Sequence, residues 1–77
     1  MIRLISLQRD NLGVLHGQVE CDDKSIVDAV FSVEEKGAIH IVSAEPYILG
    51  DGYVRTPEES RRIADAVVAF DVASNAL

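Results

Sequence analysis

Cys21, His16 and His40 are the side chains of this sequence best suited to nucleophilic or metal chemistry. A thiol beside an imidazole can lose its proton and attack a carbonyl carbon. His16 and Cys21, however, stand at an odd separation in one strand-like segment, which sets their side chains on opposite faces. No third group orients an imidazole, and no oxyanion hole is legible. Cys21 therefore reads as a small buried residue. His16 and His40 with nearby carboxylates offer donor atoms for a metal, but their spacing matches no ligand pattern. Asp22-Asp23 and Glu34-Glu35 fall outside any calcium-loop signature and read as solvated turns. Gly50-Asp51-Gly52 lacks the further glycine of a dinucleotide fingerprint, and no phosphate-binding Gly-Lys-Ser/Thr occurs. No catalytic residue, metal ligand or cofactor is expected, and the chain reads as not an enzyme.

Recognition chemistry is better represented. Glu45-Pro46-Tyr47-Ile48-Leu49-Gly50-Asp51-Gly52-Tyr53-Val54-Arg55 holds both tyrosines around a glycine-rich turn. Tyrosine is enriched at binding hot spots, being rigid, apolar and able to hydrogen-bond. Tyr47, Tyr53, Glu45 and Asp51 are thus the candidate partner-binding residues of a small hairpin or protruding loop. The competing reading is that the tyrosines only cover the sheet and the start of the helix.

Charge narrows the partner. The net charge is −6, with +1 over residues 1–19, −7 over residues 20–59 and none over residues 60–77. A nucleic-acid binder normally presents a basic patch to phosphates, so direct nucleic-acid binding is not expected. A protein with a basic surface is favoured, since opposite charge speeds encounter. The acidity equally serves solubility alone.

The elements that must position these groups are legible from periodicity. Residues 2–9 read as a first strand, and Arg9-Asp10-Asn11 as a turn. A second strand, Val14 to Cys21, alternates Leu15, Val19 and Cys21 against His16, Gln18 and Glu20. Gly17 inside it marks a bulge or a close backbone approach. After a turn at Asp22-Asp23-Lys24, a third strand sets Val27, Ala29, Phe31 and Val33 on the core face. Glu35-Lys36-Gly37 leads into a fourth strand, Ala38 to Ala44, and so short a connection predicts an antiparallel hairpin. Its buried face is open, because Ile39 and Ile41 oppose Ala38 and Val42.

Thr56-Pro57-Glu58-Glu59 opens a helix. Thr56 is an N-cap, Pro57 suits the first turn, and Glu59 completes a capping box. Ile63, Ala66, Val67, Phe70 and Ala73 recur at helical spacing as a buried stripe. Ala64, Val68 and Val72 form a second apolar row, read either as loop-covered or a mild surface patch, or as a contact with a second copy or another protein.

With 77 residues the chain is a single small domain, residues 1–77. No apolar run approaches the ~18 residues of a membrane span, and no signal peptide is evident. One cysteine permits no internal disulfide, so a cytoplasmic location is expected. The fold class is α+β: an antiparallel sheet of about four strands, with or without a short extra hairpin, and one C-terminal helix packed on one face. The leading functional expectation is a non-enzymatic protein-binding module, specifically a small inhibitor from a phage or mobile element. In size and acidity the chain is similar to small phage inhibitors of bacterial defence, anti-CRISPR proteins among them, a resemblance of size class that assigns no residue. A homodimeric structural or accessory subunit is the alternative, and a small enzyme or metal protein the third.

Overall fold

Period-two alternation produces four strands in the computed structural model, which describes residues 2–49 and 56–75. They are β1 (Arg3–Arg9), β2 (Leu15–Glu20), β3 (Ile26–Lys36) and β4 (Ile39–Glu45), followed by the helix α1 (Pro57–Asn75). The strands form one antiparallel sheet in the order β1-β2-β3-β4, as expected when each connection is a short turn. The α+β reading is correct.

Directly opposed residues in an antiparallel ladder share a face, so the register assigns the two sides of the sheet. The inner side carries Leu4, Leu7, Leu15, Val19, Val27, Ala29, Phe31, Val33, Val42 and Ala44. Leu15, Val19, Ala29, Phe31 and Ala44 are buried there together with Ile2, Ile48, Ile63 and Val67. β4, whose facing was open from sequence, is thereby decided. Phe31 opposes Ala44 and Val33 opposes Val42, which turns Val42 and Ala44 inward and leaves Ile39 and Ile41 outside. The β3–β4 turn is tighter than the sequence implied, since Lys36 already pairs with Ile39. Gly37, at φ +66°, supplies the left-handed first position that a two-residue hairpin turn requires.

Gly17 is a point of close backbone approach. A Cβ placed there would meet Phe31 Cε2 at 2.7 Å, Ser6 O at 2.9 Å and Leu7 Cδ1 at 3.3 Å. The irregularity in pairing lies opposite, between Leu4 and Ser6 of β1.

The helix begins as its sequence dictates. Thr56 Oγ1 accepts from the Glu59 amide at 3.2 Å, and Pro57 is the first helical residue. The reciprocal half of the capping box differs from expectation. Glu59 Oε2 instead accepts from the Ile2 amide at 2.8 Å, which ties the chain start to the positive end of the helix. The buried stripe is also rotated from the expected one. Ile63 and Val67 are buried and Phe70 is half-buried, but Ala66 and Ala73 are exposed. Larger aliphatic groups gain more from burial than alanine, so they set the docking angle. At the far end, Arg9 Nη2 meets Asp71 Oδ1 at 2.6 Å while Nη1 donates to Gly13 O at 2.7 Å, clamping β1 to the helix. With both terminal nitrogens so engaged, Arg9 Nε is buried without a hydrogen-bond partner.

Candidate partner-binding face

The helix covers one side of the sheet, and among the described residues the other side is open. Its outward residues follow from the same register: Arg3, Ser6 and Gln8 on β1, His16, Gln18 and Glu20 on β2, Asp28, Val30, Ser32 and Glu34 on β3, and Ile41, Ser43 and Glu45 on β4. Polar pairs lie across the first three strands. Arg3 Nε donates to Glu20 Oε1 at 3.0 Å, and Gln18 Nε2 to Asp28 Oδ1 at 3.2 Å. Exposed apolar groups are interspersed among them: Ile26, at the end of β3 away from β4, is 58% exposed, and nearer β4 Val30 is 42%, Ile39 67% and Ile41 42% exposed. Isolated exposed apolar residues are ordinary, but here they alternate with Asp28, Glu34 and Glu45 on one continuous surface.

Depressions lined by described residues mark this face. The larger, about 480 Å³, is lined by Ser6, Gln8, His16, Gln18, Asp28 and Val30, with Gly17 and Ala29 as its floor. The smaller, about 210 Å³, lies between Val30, Ser32, Ser43, Glu45 and Tyr47.

At the margin of the larger depression Asp10 organises the β1–β2 turn. Its Oδ1 accepts from the Leu12 and Val14 amides, both at 2.9 Å, and its Oδ2 lies 2.8 Å from His16 Nε2. The Val14 amide, then His16, hold the Asp10 carboxyl below its ordinary value. A carboxylate depressed in the folded state stabilises the turn above its unfolded pKa, about 3.9. That contribution is lost as pH falls through the lower native value. An NMR titration of the Leu12 and Val14 amides should therefore show a shared midpoint below about 3.9, absent in Asp10→Asn. A midpoint at or above that value would contradict the assignment.

The residues singled out from sequence are distributed as follows. Tyr47 is 70% exposed, Glu45 is exposed, and both border the smaller depression. Asp51 and Tyr53, with the turn between them, lie outside the described residues. On the helix, Ala64 and Val68 are half-buried on the flank of the docked stripe, and Val72 is 53% exposed. Cys21 is buried at the core, on the side opposite the outward His16, and His40 is exposed. Among the described residues no three His, Cys, Asp or Glu side chains gather as a metal site, and no helix is long and apolar enough to cross a membrane.

Sequence reasoning missed the open sheet face. Its signal was present in Ile26 and Val30, apolar residues on the same row of β3 as Asp28, Ser32 and Glu34, and in the outward option for Ile39 and Ile41. Comparison with protein-family models, with curated proteins and with solved structures returned no match.

Proposed function

We propose that this chain is a non-enzymatic protein-binding module that meets its partner through the open face of the sheet and Tyr47. The observation that carries the reading is the meeting of exposed Tyr47 with Val30 and Glu45 around one depression, beside exposed Ile41 and Ile39. Such a surface offers a rigid aromatic anchor, aliphatic contact area and carboxylates. The matching partner surface is apolar with basic residues interspersed, since opposite charges would pair with Asp28, Glu34 and Glu45 while apolar groups bury Val30 and Ile41. The more specific form is an inhibitor of a host protein or defence complex, supported by the size and acidity of the chain.

The test uses the tagged full chain against lysate of its native host. Wild type is compared with Tyr47→Ala/Val30→Lys and with a control on the exposed helix surface, Arg62→Ala. One protein retained in stoichiometric amount by wild type and the control, and lost with the double variant, is the expected result. Equal retention by the double variant would remove this face from the reading.

A further inference from the structure

A sheet has two edges, and the two edges of this one are built differently. β1 is guarded: its pairing is broken between Leu4 and Ser6, and arginines stand at both its ends, Arg3 on Glu20 and Arg9 on Asp71. Bulges and edge charges of this kind prevent a further strand from adding. Among the described residues β4 has no bulge, and its one Asp, Glu, Lys or Arg side chain is Glu45 at its last position. Its sequence Ile39-His40-Ile41-Val42-Ser43-Ala44-Glu45 contains no proline, lysine or arginine, its ladder to β3 runs without interruption, and its Ile39 is the more exposed of its two isoleucines, at 67%.

We infer that β4 is a self-pairing edge, at which two copies of this chain join antiparallel about a two-fold axis at Ile41 to form one eight-stranded sheet. An edge strand presents alternate amides and carbonyls, so what completes it is another strand. A reversed copy of β4 fits for a reason of charge order. Along its outward row β4 runs Ile39, Ile41, Ser43, Glu45, and Lys36 lies on the same face beside Ile39. The edge is therefore apolar at its start, with a base on the neighbouring β3, and acidic at its end. Reversal about Ile41 sets Ile41 against its own copy and Ile39 against Ser43, and carries Glu45 just past the start of the second copy's β4, two strand spacings from the β3 that bears Lys36. At each end of the new ladder the outward charge of the other copy nearest to Glu45 is therefore Lys36, of opposite sign. Glu34, which opposes Ile41 within each sheet, is kept from its counterpart by three strand spacings of about 4.8 Å, together about 14 Å, beyond the ~8 Å screening length of physiological salt. A chain of net charge −6 can thus associate here without a like-charge confrontation at the seam. An isologous two-fold contact of this type closes as a dimer and does not propagate.

Sedimentation equilibrium on the full chain tests the inference. The expected result is a concentration-dependent dimer whose dissociation constant rises at least ~10-fold, or about 1.4 kcal/mol, in Ile41→Lys, where two ammonium groups would face each other at the axis. Lys36→Glu should weaken the dimer, and Lys36→Glu/Glu45→Lys should restore it. Because Ile41 is part-exposed, its far-UV circular dichroism serves as the folding control, and a second measurement does not depend on that variant. In a directly opposed antiparallel pair the Cα atoms lie about 4.5–5.5 Å apart, within disulfide range. Ile41→Cys should therefore oxidise to a covalent dimer, whereas Ile26→Cys, on an exposed site away from β4, should not. A wild type that stays monomeric at the highest attainable concentration would overturn the inference. So would a dimer indifferent to Ile41→Lys and abolished by Val72→Glu, which would place the contact on the helix.

Discussion

Ile63→Ala is expected to cost this domain about 3 kcal/mol of stability. Ile63 is 2% exposed and Val67 fully buried, and both belong to the cluster that joins the helix to the sheet. Removing three carbons from a buried side chain forfeits about 0.8 kcal/mol for each, and the cavity left behind adds to that loss because packed neighbours relax only in part. A domain of this length has a total stability of roughly 4–12 kcal/mol. One substitution would therefore remove between a quarter and most of it. Urea unfolding should show a lowered midpoint with an unchanged slope. A loss below about 1 kcal/mol would mean that Ile63 is not a principal contact of the docked helix, since Ile→Ala in a packed core costs at least about 2.

Gly17→Ala is expected to destabilise by about 1–3 kcal/mol, against the usual sign for this exchange. Alanine in the middle of a strand is ordinarily favoured over glycine by about 0.5–1 kcal/mol. Here its methyl group would stand 2.7 Å from the Phe31 ring and 2.9 Å from the Ser6 carbonyl oxygen. Phe31 is 3% exposed, so its ring has little room to retreat. The Ser6 oxygen belongs to the backbone at the irregular pairing with Gln18 and cannot move without shifting β1. The two obstacles are separable. Gly17→Ala/Phe31→Leu relieves the ring contact but not the carbonyl contact, so Phe31→Leu should cost less in the Gly17→Ala background than in wild type. Thermal and urea unfolding of the four proteins of this double-mutant cycle measure the difference. A Gly17→Ala protein as stable as wild type or more stable would show that the backbone approach is looser than these distances state.

Part of the candidate binding face is legible in the sequence, and the rest depends on contacts between distant segments. Tyr47 and Glu45 are candidates from sequence because tyrosine is enriched at binding hot spots and the segment around them is turn-rich. Val30 was passed over because one aliphatic group on a polar strand row carries no meaning until its neighbours are known. Those neighbours, Glu45 across the ladder and Tyr47 beyond it, come from a segment well separated along the chain. The helix gives the same lesson. Thr56 and Pro57 act on amides within one turn, so the start of α1 was legible. Glu59 was assigned to the same local box, and it serves the Ile2 amide at the other end of the chain.

The kinds of element, their order and the alternating rows of β2 and β3 are set by local sequence. Those follow from interactions only a few residues long: side-chain alternation, turn geometry, and the capping of exposed amides. Tertiary structure alone decided which side of β4 faces the helix, how α1 is rotated on the sheet, and why position 17 excludes a side chain. In each case two locally equivalent choices existed, and long-range packing selected one. Phe31 and Val33 demanded inward partners from Val42 and Ala44, Ile63 and Val67 outweighed the alanines beside them, and the Phe31 ring came to lie over Gly17.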